Sequence, residues 1–197
     1  MEEKRCGWCL GTPLYQQYHD EEWGRPVTDD AILFEFLILE GAQAGLSWIT
    51  VLNKRENYRA AFDNFDVEKI ARYTPGKIDK LLQDPGIVRN RLKVASAVKN
   101  ARATLALRDS GTSLCEFLWQ FTDGRVRVNR HRSLAQVPAS TPESDAMSKA
   151  LKKAGFSFVG STIMYAHMQA TGMVNDHLVG CPAHRQCVDE AAAKNLL

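Results

Sequence analysis

Helix punctuation dominates this chain, and strand alternation is almost missing from it. Thr28 is placed to cap a run from Asp29 to Glu40, with Ile32, Leu33, Phe36 and Leu37 at helical spacing and Gly41 as a natural stop. Ser47 opens a second run to about Phe62, Asp66 a short one to Tyr73, and Thr74-Pro75 one to about Gln83. Asp84-Pro85-Gly86 then breaks the chain before a long helix from about Val88 to Leu107. Ser113 starts another to about Phe121, Thr141-Pro142 one that Gly155 stops, and Phe158 one that ends at Thr171-Gly172. Only Arg125 to Val128 alternates like a strand, and it has too little company for a sheet. The expected fold class is all-α. With 197 residues, 45% hydrophobic and 24% charged, the chain has material for one globular domain. The irregular stretch from Thr122 to Ser140 is expected to separate a pair of helical lobes.

The longest strongly apolar stretch, Ala31 to Leu39, is interrupted by Glu35 and falls far short of the ~20 residues of a membrane span. Met1 to Cys6 carries no apolar signal region, so a cytoplasmic protein without membrane attachment is expected. Cys6, Cys9, Cys115, Cys181 and Cys187 are odd in number, which argues against a disulfide framework. Histidines sit among the terminal cysteines. Cys6 and His19 near one end, with His177 and Cys181 near the other, fit one tetrahedral structural zinc. Cys6-x-x-Cys9 and His184-x-x-Cys187 are ligand pairs by spacing as well, and Cys6-Gly7-Trp8-Cys9 also has the form of a redox dithiol.

The formal net charge of +2 excludes a histone-like polycation, but the charge is unevenly spread. From Ile87 to Arg108 the chain carries Arg89, Arg91, Lys93, Lys99, Arg102 and Arg108 and no acid, and Arg125, Arg127, Arg130 and Arg132 add a second run. Gly86 permits close backbone approach, and the following N–H groups are expected to open a helix that could hold a phosphate. Such a turn followed by cations has the logic of a sequence-independent DNA backbone anchor. A plain helix connector with a solvated basic face accounts for the same residues.

The first fifty residues hold Trp8, Tyr15, Tyr18, Trp23, Phe34, Phe36 and Trp48, three of the four tryptophans among them. Aromatics with a polar tip suit the gripping of a flat base, and equally the filling of a core. Glu40 ends an otherwise apolar run. If buried, it must be paired or serve a purpose. Gly45-Leu46, just beyond, has the form of a small apolar wedge that could enter a base stack.

Taken together, these features resemble the 3-methyladenine DNA glycosylase I family of the helix-hairpin-helix glycosylases. The resemblance runs from about Cys6 to Cys181 and rests on long stretches. They include Arg5-Cys6-Gly7-Trp8, Pro13-Leu14-Tyr15, Tyr18-His19-Asp20, Glu22-Trp23-Gly24, Leu39-Glu40-Gly41 and Gln43 to Ile49. Lys54 to Arg59, Ser148 to Lys153, Gly155-Phe156, Phe158-Val159-Gly160 and Val174 to His177 complete them. The resemblance implies a single glycosylase domain over 1–197, with a hairpin lobe at about 30–121. A zinc-tied lobe would comprise about 1–29 and 141–197. It implies excision of 3-methyladenine from double-stranded alkylated DNA by a monomer, with the free base as product. Cys6, His19, His177 and Cys181 take the zinc positions. Glu40 and Tyr18 contact the flipped base, Trp48 stacks on it, and Trp8 and Tyr15 line its pocket. Gly45 and Leu46 hold the duplex open, while Gly86, Ile87, Arg89 and Arg91 bind backbone phosphate. Ser161, Thr162 and Tyr165 are candidates for the C-terminal side of the pocket.

Three positions depart from the wider superfamily. Val88 stands where many members have a second glycine, Asn90 where bifunctional members have a nucleophilic Lys, and Arg108 where most have a catalytic Asp. Asp109 is adjacent and expected beyond the helix. Without the lysine, strand cleavage is not expected. A zinc-stabilised lesion sensor without catalysis and a Cys6-x-x-Cys9 oxidoreductase are the competing readings.

Overall fold

The structure is a computed structural model and describes residues 4–197. Eleven α-helices occur among these residues, in a helical fold with one minimal strand pair. The first, α1 (Pro13–Glu21), is not among the helices expected from the sequence; it is short and buries only Tyr18 and His19. Thr12 caps it, accepting a hydrogen bond from the Tyr15 N–H at 3.2 Å, and Pro13 opens its first turn.

Helix α2 (Asp30–Gln43) is the central element. Nine of its fourteen residues are buried, as expected of a helix that is apolar on all sides. Asp29, not Thr28, caps it, accepting from the Ala31 and Ile32 N–H groups. Gly41 does not stop it. A Cβ there would lie 3.2 Å from that of Phe158, so this glycine serves close packing. The run expected from Ser47 to Phe62 divides into α3 (Trp48–Leu52) and α4 (Arg55–Ala61). Between them Lys54 turns to donate to the Pro85 carbonyl at 2.9 Å.

Short helices α5 (Val67–Ala71) and α6 (Pro75–Leu81) follow, capped as expected by Asp66 and Thr74. Both pack on the long α7 (Arg91–Asp109). This helix begins three residues later than expected. Its cap is Asn90, whose Oδ1 accepts from the Leu92 and Lys93 N–H groups. Asp109 is its last residue and is exposed. A full capping box of Ser113 and Glu116 opens α8 (Leu114–Trp119).

Strand β1 (Arg127–Val128) finds one parallel partner, β2 (Val174–Asn175), which local alternation could not reveal. Helix α9 (Pro142–Lys153) precedes α10 (Ser161–Ala170). The latter starts after Gly160 rather than at Phe158, whose φ of +57° is not helical. The tail forms an unexpected α11 (Pro182–Ala193), which buries Ala183, Cys187 and Ala191. Leu196 beyond it accepts from the Val126 N–H at 2.7 Å, and Lys194 donates to the Pro26 carbonyl.

Leu33, Phe34, Leu37 and Leu39 of α2 are fully buried, and α3, α7, α8 and α10 all pack against that helix. Each such side chain contributes roughly 1.5–3 kcal/mol of hydrophobic stabilisation. Glu40 is thereby held inside the molecule by the packing of its own helix. Among the described residues no helix is long and apolar enough to cross a membrane.

Candidate functional site

Two constellations converge at the ends of α1 and α2. In the first, Cys6, His19, His177 and Cys181 are all buried, and one ligand atom from each lies within 4.8 Å of the rest. Four-coordinate binding at ordinary zinc bond lengths would place two nitrogens about 3.3 Å apart and a nitrogen and a sulfur about 3.6 Å apart. His19 Nε2 and His177 Nδ1 are 3.2 Å apart. Cys181 Sγ lies 3.6 Å from His19 Nε2 and 4.0 Å from His177 Nδ1, and Cys6 Sγ lies 3.8 Å from His177 Nδ1. The other ring nitrogens are engaged elsewhere. His19 Nδ1 faces the Asp20 carboxylate at 2.8 Å, and His177 Nε2 faces the Trp23 carbonyl at 2.8 Å. Such outer partners fix the tautomer that ligation requires. The Cys181 thiol is held well below its usual range, by Cys6 first and then by His177 and His19. The four residues could therefore hold a metal ion.

The alternative ligand sets do not join this cluster. Cys9 turns its Sγ to the Cys6 carbonyl, and His184 Nε2 faces the Asn129 carbonyl. Gly24 has φ +81°, and a Cβ on it would lie 2.9 Å from the His177 ring. Only glycine lets Glu22-Trp23-Gly24 pass this close to His177.

The second constellation is a cavity of about 360 Å³. Trp8, Tyr15, Tyr18, Trp23 and Trp48 line its N-terminal side. Trp8 meets Tyr15 edge-on at 4.9 Å and Trp23 at 5.0 Å, Tyr18 lies 5.5 Å from Trp48, and Phe36 stacks behind Trp48. These rings brace one another and leave open space between them. Glu40 reaches the cavity from α2 with 3% of its surface exposed. It takes no hydrogen bond from any described residue. Burial pushes its carboxyl up to about 8. Tyr18 is driven well above 10, by burial first and Glu40's charge second.

The far wall comes from Ala166 and Gln169 of α10, from Asp176 after β2, and from Leu134 and Val137 of the long loop. Ser161, Thr162 and Tyr165, expected there, do not line it. The Tyr165 hydroxyl instead donates to Asp176 Oδ2 at 2.6 Å. Asp176 and Gln169 were missed. The Asn175-Asp176-His177 motif was visible in the sequence, but nothing there marked Asp176 as facing the cavity.

At the rim, Gly45 has φ +78° and Leu46 is exposed. Lys93 Nζ donates to the Ala42 and Ala44 carbonyls at 2.8 and 2.6 Å, and Gln43 Nε2 donates to the Leu46 carbonyl. The basic helix thus holds the end of α2 and the loop after it.

The hairpin corrects the expectation of a free row of N–H groups. Gly86 N–H donates to Asp84 Oδ1 at 2.7 Å and Val88 N–H to the Tyr58 hydroxyl at 3.1 Å. Ile87 is buried in the core. The cations are not uncompensated either, because acids from neighbouring helices reach them. Arg91 pairs with Asp79 at 2.7 Å and Arg108 with Glu68 at 3.1 Å, while Arg102 donates to the Ala71 carbonyl. Exposed pairs of this kind contribute at most about 1 kcal/mol, so a phosphate could replace either acid. Arg89 is exposed. Neither Arg108 nor Asp109 lines the aromatic cavity.

A family model described as methyladenine glycosylase matches residues 8–185. The chain is 53% identical over 178 residues to DNA-3-methyladenine glycosylase 1 of Escherichia coli (strain K12), covering 90% of this chain and 95% of that one. Its structure matches a crystal structure of a 3-methyladenine DNA glycosylase I with a TM-score of 0.90 and 54% identity, covering 91% of this chain and 98% of the other. It also matches a Staphylococcus aureus 3-methyladenine DNA glycosylase I, solved to explain 3-methyladenine recognition. There the TM-score is 0.89 and the identity 34%, with 92% and 97% of the two chains covered.

Proposed function

The chain belongs to the methyladenine glycosylase family, and on that premise we propose that it hydrolyses the N-glycosidic bond of 3-methyladenine in double-stranded alkylated DNA. The product is the free base and an abasic site. The observation that carries this reading is Glu40, a buried carboxyl that takes no hydrogen bond from any described residue, in an aromatic cavity with room for a flipped base.

In this mechanism Leu46, on the turn that Gly45 permits, enters the base stack and holds the duplex open. The flipped base slides between the rings and stacks on Trp48, with Trp8 and Tyr15 along its edges. Glu40 and Tyr18 hydrogen-bond its polar edge. In the empty cavity Glu40 holds its proton up to about 8. A base carrying positive charge favours the carboxylate and lowers that value, so entry of the substrate itself charges the site. Binding is then strongest for the electron-deficient base whose glycosidic bond is already weakened. Water completes hydrolysis at the sugar. Asn90, where a Schiff-base lysine would stand, caps α7 with its side chain, so the strand is not cleaved.

Outside the pocket, the exposed Arg89 and Arg91 contact backbone phosphate beside the Gly86-Ile87 turn, which shapes the approach while its own N–H groups stay engaged within the protein. Cys6, His19, His177 and Cys181 would hold a zinc ion, because two thiolates and two imidazoles at these separations suit it, and it would supply stability rather than chemistry. We read the protein as a cytoplasmic monomer of one domain. Its hairpin lobe spans about 30–121, and a second lobe joins about 1–29 with 141–197.

The test is release of labelled base from methylated duplex DNA. Free 3-methyladenine and an alkali-labile but uncut strand are expected. Tight DNA binding without base release would replace this reading with a non-catalytic lesion sensor.

A further inference from the structure

Two helices face each other across the cavity, and each presents residues three apart on one face: Glu40 and Gln43 from α2, Ala166 and Gln169 from α10. Gln169 is unusually constrained for a surface-reaching amide. Its main-chain carbonyl accepts from the Gly24 and Gly172 N–H groups, which pins the end of α10. Its Nε2 donates to Asp176 Oδ2 at 2.8 Å. Asp176 is itself 2% exposed and closely held. Tyr165 donates to the same oxygen at 2.6 Å and Asn129 to Oδ1 at 2.6 Å, while His131 Nε2 lies 3.2 Å from Oδ1.

This arrangement removes the usual freedom of a glutamine to present either end. A flipped amide would set Oε1 against the carboxylate, acceptor against acceptor, in a buried site. Oε1 therefore points away from Asp176, and it takes no hydrogen bond from any described residue. Gln43, opposite, is oriented in the same way by its donation to the Leu46 carbonyl.

We propose that Gln169 is a specificity-determining residue: Asp176 fixes its amide so that Oε1 faces the cavity as an acceptor, and this acceptor selects a 3-methylpurine with an amino group at C6 over one with an oxo group. An amino group satisfies Oε1. An oxo group leaves two acceptors facing each other once the base fills the cavity, and the amide cannot turn to relieve them. Asp176 acts as a positioning residue, through Gln169. The inference rests on the base-binding reading of the cavity.

The test measures binding of free 3-methyladenine and free 3-methylguanine, by tryptophan fluorescence and calorimetry, in the wild-type chain and in Gln169→Met. Methionine keeps the length and shape of the side chain and removes the acceptor. The wild type is expected to prefer 3-methyladenine. In Gln169→Met the ratio of the two affinities should fall about tenfold, with 3-methyladenine weakened and 3-methylguanine unchanged or tighter. Asp176→Asn, which lets the amide flip, should move the ratio in the same direction. Equal loss for both bases, or an unchanged ratio in Gln169→Met, overturns the proposal whether or not Asp176→Asn folds. Release of 3-methyladenine from methylated DNA by the wild type judges the underlying reading separately, since it does not depend on the ratio.

Discussion

The two constellations share α1 and lie side by side, yet they are built on opposite rules. In the Cys–His cluster the polar groups are spoken for: both outer ring nitrogens have partners, and the Leu178 N–H donates to the Cys6 sulfur at 3.4 Å. In the cavity, Glu40 and the Oε1 of Gln169 take no hydrogen bond from any described residue, and Trp48 Nε1 is buried with no partner among them. A satisfied buried network stabilises, whereas an unsatisfied one costs stability and is kept for a ligand. The contrast separates what holds this fold from what works in it.

The largest effect is expected on the closed side. The wild type should carry about one zinc per chain, and Cys6→Ser should lose it together with much of the thermal stability. Cys9→Ser should keep both, because its thiol faces a carbonyl and not the cluster. Metal analysis and thermal melts that reversed this order would show the ligand set to be wrong.

The open side should betray itself through pH. Folded Glu40 keeps its proton to about 8, whereas in the unfolded chain it is lost near 4.5. Between these values the folded state binds more protons, so stability falls as pH rises through the window. Glu40→Gln lacks this component. Its melting temperature should exceed that of the wild type increasingly from pH 5 to pH 8, by up to a few kcal/mol of stability, and the difference should close below pH 4.5. Parallel curves would mean that Glu40 is paired or solvated.

A smaller change is expected from Tyr18→Phe, which removes one hydroxyl and keeps the ring packing. Free 3-methyladenine should bind roughly five- to tenfold more weakly by calorimetry. Unchanged affinity would remove Tyr18 from the base edge. Smallest is Arg89→Ala. It should weaken binding to undamaged duplex modestly and reduce the salt slope by about 1. An unaltered slope would place the backbone contact elsewhere.

What the sequence made legible follows the same divide. Local chemistry was readable: Asp66, Thr74, Ser113 and Thr141 cap the helices that follow them. The Cys–His residues and the aromatics stood out by type alone. Features that depend on distant neighbours were not readable. Helices α1 and α11 carry few large apolar residues, and their buried faces meet the cluster and the chain's far segments. The Gly86 turn looked like a phosphate cradle, although Asp84, two residues back, takes the Gly86 N–H in a local turn; the Tyr58 hydroxyl on the Val88 N–H arrives from α4, and nothing local announces it. The basic run looked uncompensated because Asp79 and Glu68 arrive from other helices. Gln169 and Asp176 gain meaning only once α10 and the turn after β2 close on one cavity.

The central claim is that the buried Glu40 carboxyl, which takes no hydrogen bond from any described residue, performs the work of the cavity. It is tested most directly by measuring base release and duplex affinity together in Glu40→Gln. The account predicts a loss of 3-methyladenine release of at least about a hundredfold, with duplex affinity within about twofold of the wild type. Full release by Glu40→Gln would contradict it.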